Sequence, residues 1–208
     1  MSSDRGHPVF AWVYERMSRA EERAGMGDQR HELLAQATGR VIEIGAGTGL
    51  NFGHYPPGRV TELVATEPDP HMLKRATSAA TAAPVRVTLH RVTAESLPFG
   101  DGEFETAVST LVLCSVRDPA AALAEVRRVL KPGGALLFFE HVRSENEKHA
   151  RWQDRLRRPW GWVAGGCHPN RDTVANLEAA GFRIETLRRF PWGPPSPARP
   201  HVSGSARV

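Results

Sequence analysis

The chain has 208 residues, 40% of them hydrophobic and 24% charged, a balance that supports a buried core and excludes wholesale disorder, collagen-like repeats and coiled coil. Lys and Arg outnumber Asp and Glu by 27 to 23, a formal +4, yet all but three of the cations are arginine and the densest group is only Arg151, Arg155, Arg157 and Arg158. No nucleic-acid motif accompanies that group, so no nucleic-acid partner is expected. No secretory-type segment and no run approaching ~20 apolar residues is visible, which leads to the expectation of a soluble, cytoplasmic protein.

Taken in chain order, residues 40–44 form a β-branched run that stops at Gly45-Ala46-Gly47-Thr48-Gly49, the pattern of a buried strand ending in a tight glycine loop. A second strand is predicted at 60–66, a helix at 71–83 and a third strand at 85–91, with Val85, Val87 and Leu89 on one face. After a turn at 98–102, the apolar run 104–113 suits a central parallel strand covered on both sides. Asp118-Pro119 is an N-cap followed by proline in the first helical position, and Leu123, Val126, Val129 and Leu130 mark the buried face of that helix. Lys131-Pro132-Gly133-Gly134 is expected to end it, ahead of a buried strand at 135–142. Asp172 caps a last helix ending at Gly181, and 182–190 and 201–208 give a final pair of strands. Such alternation predicts an α/β, three-layer Rossmann-like sandwich. The whole chain, 1–208, is expected to be one domain, with 1–38 as a helical lid segment and 143–170 as an insertion on the substrate side.

The glycine loop narrows the chemistry. A dinucleotide fingerprint would need a third glycine at position 50, which is Leu50, and no lysine follows to make a phosphate loop. Spacing G-x-G-x-G behind Glu43 suits a nucleoside without a pyrophosphate. Glu67, at the end of the second strand, can accept hydrogen bonds from both hydroxyls of a ribose.

Residues 41–49 with Glu67, Ala94-Glu95-Ser96-Leu97-Pro98-Phe99 and Leu130-Lys131-Pro132-Gly133-Gly134 resemble the class I S-adenosylmethionine-dependent methyltransferases, from about Tyr14 onward. The resemblance implies a seven-stranded, mostly parallel sheet with an antiparallel last strand, and S-adenosylmethionine across the strand ends. It also implies roles: Tyr14, Glu43, Gly45, Ala46, Gly47, Thr48 and Gly49 around the methionine portion, Glu67 at the ribose, Ala94 and Glu95 at the adenine, Thr110 and Leu111 beside the sulfonium, with Asn51 and Pro68 also among the cofactor-binding residues. An N-terminal amphipathic segment carrying Trp12, Tyr14 and Met17 would close over the cofactor. Thr93 stands where many relatives carry aspartate, which shifts adenine recognition to backbone groups or Glu95, and Glu105 stands where relatives often show aspartate.

The stretches Gly49-Leu50-Asn51-Phe52, Tyr55-Pro56-Pro57, residues 110–116, Glu140-His141-Val142 and Gly166-Cys167 before Arg171 are similar to the thiol S-methyltransferases, membrane-associated enzymes that methylate alkyl thiols. The hydrophobic N-terminal anchor of that group is not visible here. The expected activity is therefore direct displacement of the methyl group onto a small-molecule acceptor, a thiol by resemblance. Phospholipid (phosphatidylethanolamine) N-methylation and non-catalytic binding of the cofactor are the alternatives. His141, after the fifth strand, is the candidate catalytic base, against a purely structural strand-end histidine. Cys114 and Cys167 are too few for a disulfide framework and lack paired zinc spacing, so no metal is expected; Cys114 fits a buried apolar position and Cys167 a loop nearer the substrate. Trp152, Trp160 and Trp162 beside arginines fit either a lid or peripheral contact with a membrane surface. Oligomeric state is left open.

Overall fold

The computed structural model describes Arg16 and residues 21–208; Trp12, Tyr14 and Met17 lie outside the described residues. A short π-helical turn, Glu22–Met26, leads into α1 (Gly27–Leu34), followed by β1 (Gly39–Ile44), β2 (Val60–Thr66), α2 (Pro70–Thr81) and β3 (Val87–His90). Then come β4 (Phe104–Thr110), α3 (Pro119–Val129), β5 (Leu130–His141), α4 (Glu147–Val163), α5 (Thr173–Ala179), β6 (Arg183–Pro191) and β7 (Pro200–Arg207).

The seven strands lie in the order β3-β2-β1-β4-β5-β7-β6. Pairs among β1 to β5 are parallel, and β7 is antiparallel to both β5 and β6. The predicted architecture is therefore present. Strand periodicity sends alternate residues of β1 to opposite faces. Ile42 and Ile44 join Leu123 and Val126 of α3 and Leu177 of α5 in one core, whereas Val41 joins Leu33 and Leu34 of α1 and Ala76 of α2 in another. Fully burying side chains such as these contributes roughly 1.5–3 kcal/mol each. Two cores on two faces are what hold the strand ends at a common edge.

Helix starts follow the side-chain chemistry. Asp69 accepts hydrogen bonds from the His71 and Met72 amides and Asp118 from those of Ala120 and Ala121, each with proline next in the chain. Several boundaries differ from expectation, and at three of them the structure gives the cause. The third strand is confined to 87–90, because Leu63 N–H pairs with Arg86 O at its entry and the chain leaves the sheet after His90. β4 stops at Thr110, since Leu111 takes a positive φ of 61° and turns the next amides away from the sheet. Residues 131–134 do not precede the strand; they bulge out of it. Phe104 pairs with Leu130 and Thr106 with Ala135, so four residues of β5 loop outward between consecutive pairings.

Candidate active site

The glycine loop leaves β1 with Gly45, Gly47 and Gly49 at φ of 59°, 59° and 83°, a region that costs other residues roughly 1–2 kcal/mol. At Gly45 space also forbids a side chain, because a Cβ would lie 2.6 Å from Val112 Cγ2. The loop opens on a small cleft lined by Arg30, Gly45, Ala46, Gly47, Thr48, Leu50, Asn51 and Thr110. Thr48 Oγ1 is buried there with no hydrogen-bond partner among the described residues, a buried polar group that ordinarily has one.

Under the cleft lies a buried polar network. Glu43 accepts from Asn51 Nδ2 (2.9 Å) and from the Tyr55 hydroxyl (2.6 Å). Asn51 Nδ2 also donates to Thr110 Oγ1 (2.8 Å), and Arg30 Nη1 donates to Asn51 Oδ1 (2.8 Å) and Thr110 Oγ1 (3.2 Å). Arg30 Nε closes the chain on Glu22 (2.7 Å). Burial pushes the Glu43 carboxyl up to about 7, against the bonds from Tyr55 and Asn51 and the charge of Arg30. Across the loop, Glu67 accepts from the Gly47 amide (2.9 Å) and the Asp69 amide (2.8 Å), with its carboxyl raised by burial. Its carboxylate thus holds the loop to the end of β2.

Beyond β4, one carboxylate organises the turn. Glu140, wholly buried in β5, accepts at Oε1 from Ser109 Oγ (2.6 Å) and the amides of Val112 and Leu113 (3.0 Å each), and at Oε2 from the Cys114 amide (3.2 Å). Those bonds offset the left-handed Leu111. Arg171 braces the same turn, its guanidinium donating to the carbonyls of Leu113 and Val116 at 2.6 Å each, and His168 N–H donates to Cys114 O (2.7 Å). As a result Cys114, His141 and Cys167 meet. Their Sγ, Nδ1 and Sγ atoms lie within 4.8 Å of one another. His141 Nδ1 is 3.5 Å from Cys114 Sγ and 3.4 Å from Cys167 Sγ. The hydrogen bond from Cys167, together with burial, raises the Cys114 thiol well above its ordinary value. On the other side of His141 stands His201, with ring centroids 4.7 Å apart; burial first, and then the charge of His141, lower its pKa to about 3.

Of the residues singled out in the sequence, the structure brings Gly45, Ala46, Gly47, Thr48, Asn51 and Thr110 to the cleft wall, with Glu43 beneath and Glu67 bonded to the loop. Gly49 packs against Phe52 and Ala79, and Pro68 is bonded through its carbonyl to Arg91. Ala94 lies in the core shared with α3. Glu95 accepts from the Arg117 and Asp118 amides and so secures the entry to α3. Leu111 forms the turn, and His141 stands with the two cysteines rather than in the cleft lining. Sequence reasoning assigned no role to Arg30, Tyr55, Glu140 or Arg171. Tyr55, Glu140 and Arg171 sit in stretches that carried the family resemblance; Arg30 gave no signal. Nor did linear spacing disclose that Cys114, His141 and Cys167 converge.

A family model described as "Methyltransferase domain" matches residues 42–138. Thiol S-methyltransferase TMT1B of Homo sapiens is 39% identical over 198 residues, spanning 87% of this chain and 79% of the relative. Among solved structures, a protein of Bacillus halodurans C-125 superposes with a TM-score of 0.72 at 19% identity, over 86% of this chain and 97% of that one. The S-adenosylmethionine-dependent methyltransferase of Mesorhizobium loti gives 0.61 at 20% identity, over 87% and 96%. At those identities the two structures share the fold.

Proposed function

Because the chain belongs to the class I S-adenosylmethionine-dependent methyltransferases, in the group that includes the thiol S-methyltransferases, we propose that its acceptor is a small-molecule thiol. The carrying observation is the similarity to human thiol S-methyltransferase TMT1B over 87% of the chain.

The cofactor, S-adenosylmethionine, supplies a methyl group on a positively charged sulfonium. The residues present fit it: a glycine-lined cleft at the strand ends with the unpartnered Thr48 hydroxyl, and the carboxylates of Glu43 and Glu67 around it. Backbone amides of 45–49, Thr48 and Asn51 hold the methionine portion, Glu67 and Pro68 the ribose, and Ala94 and Glu95 the adenine edge; Thr110 and Leu111 face the sulfonium. Tyr14 is assigned to the methionine end from the sequence alone. Glu43 acts through Asn51 and Tyr55 as a positioning residue.

Methyl transfer to a thiol asks mainly for alignment. Holding reacting atoms about 3–3.5 Å apart can supply ~7–11 kcal/mol of barrier reduction, and a thiol near pKa 8.5 is already a few per cent thiolate at neutral pH, so modest help suffices. His141 is the residue that promotes loss of the acceptor's proton. It stands at the end of β5 on the strand edge that carries Thr110, and Glu140 and Arg171 fix the intervening turn. The test is incubation with methyl-labelled cofactor and a panel of alkyl thiols, amines, phenols and phosphatidylethanolamine. Label should appear in thioethers. Label on the lipid amine instead, or cofactor binding without any product, refutes the thiol assignment.

A lipid surface is favoured as an additional contact by α4. No helix among the described residues is long and apolar enough to cross a membrane, but Trp162 and Val163 at the end of α4 are 86% and 73% exposed, on a helix carrying Arg151, Arg155, Arg157 and Arg158. Trp162→Ser should reduce sedimentation with anionic liposomes while leaving thiol methylation in solution intact; equal sedimentation of the two proteins removes the contact.

A further inference from the structure

Cys114 Sγ, His141 Nδ1 and Cys167 Sγ come from three separate parts of the chain: the turn after β4, the end of β5 and the loop between α4 and α5. As hydrogen bonds they are poorly matched. One imidazole nitrogen carries a single lone pair or a single proton, yet two sulfurs face it at 3.5 and 3.4 Å. As a coordination sphere they are well matched. Around a tetrahedral zinc ion with Zn–S of ~2.3 Å and Zn–N of ~2.05 Å, neighbouring sulfur and nitrogen ligands stand about 3.6 Å apart and two sulfurs about 3.8 Å. The observed separations need adjustment of only tenths of an ångström for the S···N pairs, and all three atoms already lie within 4.8 Å. Two thiolates and an imidazole are the donor set that zinc takes in preference to oxygen-seeking cations.

Surrounding bonds hold these ligands in place. The Cys114 amide is fixed by Glu140, Cys114 O by the His168 amide, the Cys167 amide by Ala164 O, and the whole turn by Arg171. Outer bonds of this kind orient metal ligands. Among the described residues the group contains three ligands, not four. Three protein ligands with one position left is the pattern of a reactive zinc site, while structural zinc closes its fourth.

We propose that Cys114, His141 and Cys167 bind one zinc ion whose fourth position receives the sulfur of the acceptor thiol. This rests on the thiol assignment above and deepens it, and it departs from the metal-free site expected from the sequence. On coordination the thiol gives its proton to solvent, so His141 promotes that loss through the metal it holds and not by accepting the proton itself. The zinc-held sulfur then forms a bond to the methyl carbon, the bond from that carbon to the sulfonium breaks, and its electron pair stays on the cofactor's sulfur. No oxidant or reductant is needed. Two cysteine thiolates balance the dication, so the bound acceptor thiolate leaves the site one charge negative, opposite to the sulfonium's single positive charge. The neutral thioether product is a weaker ligand and departs.

The experiment uses the full chain, purified in a phosphine reductant and stripped of metal with a chelator. Titration with Zn2+ against a competing chromophoric chelator should give one equivalent bound. Co2+ in its place should show thiolate charge-transfer absorption and the visible bands of tetrahedral cobalt, and adding 2-mercaptoethanol should alter those visible bands. Cys167→Ser should weaken Zn2+ at least a hundredfold while cofactor binding, measured by calorimetry, stays within threefold; if that variant does not fold, the cobalt spectrum of the wild-type chain decides alone. No stoichiometric metal, or tetrahedral cobalt bands that ignore the thiol, overturns the inference. A metal-free protein that methylates thiols at full rate likewise overturns it while sparing the thiol assignment. Metal bound in a protein that methylates only non-thiol acceptors defeats the thiol assignment and, with it, the proposed fourth ligand.

Discussion

Replacing Glu140 by glutamine is the sharpest single perturbation of the turn between β4 and α3. Oε1 of Glu140 serves three donors, Ser109 Oγ and the amides of Val112 and Leu113, while Oε2 serves the Cys114 amide alone. A glutamine can keep its carbonyl oxygen on the three-donor side, so its NH2 must then face the Cys114 N–H, donor against donor. An orphaned buried donor costs about 1–3 kcal/mol, and three bonds that were charge-assisted become neutral, each weaker by roughly 1 kcal/mol. Removing a buried carboxylate returns part of that, because burial already raises the Glu140 carboxyl. The net expectation is a loss of about 2–4 kcal/mol, read as a lower urea midpoint at unchanged slope. The turn carries Leu111 and Cys114, so kcat for methyl transfer should fall at least tenfold, with cofactor affinity, set in the glycine cleft, changing less than threefold. A variant within 0.5 kcal/mol of wild type and equally active would show that Glu140 is not what holds the turn.

Three further outcomes are expected. Glu43 is raised from 4.5 to about 7, so the folded chain holds its proton more tightly than the unfolded one, and stability falls as pH rises across that interval; at ~1.4 kcal/mol per unit this amounts to about 3.5 kcal/mol. Urea midpoints at pH 5 and pH 8 should therefore differ less in Glu43→Gln than in wild type, and parallel shifts would contradict the reasoning. Arg30→Ala strands Asn51 Oδ1 and Glu22, so calorimetry should register at least tenfold weaker cofactor binding, an unchanged Kd being the opposing result. Gly45→Ala adds left-handed strain of roughly 1–2 kcal/mol to a 2.6 Å clash with Val112; it should lower Tm by several degrees and abolish cofactor binding, and an intact thermal transition would argue against the loop geometry.

Legibility in the sequence tracked locality. The run from Val41 to Gly49 declared a strand and its loop because hydrophobic period and glycine placement are local signals, and Asp118-Pro119 declared a helix start for the same reason. The bulge at 131–134 escaped because proline and glycine signal a break in the chain without saying whether the strand resumes alignment on either side of it. Arg30 was invisible since its partners, Asn51 and Thr110, are 21 and 80 residues away. Likewise Cys114 and His141 are 27 residues apart and His141 and Cys167 26, distances that only the parallel β4–β5 pairing and the loop after α4 convert into contact. Glu140 could be seen beside His141, but a carboxylate's four donors are a property of the folded turn.

β7 enters the sheet between β5 and β6, with His201 opposite His141. During synthesis, then, one edge of β5 stays unpaired while 142–199 are made, on the order of 3–12 s at ~5–20 residues per second. Throughout that interval the strand bearing His141 exposes a row of free amides and carbonyls next to Leu137 and Phe139, a template for pairing with another nascent chain. A chain interrupted before residue 200 would carry the complete glycine loop and an open sheet at once. Protection from aggregation thus arrives after the cofactor loop is complete, and only with the insertion of a single strand.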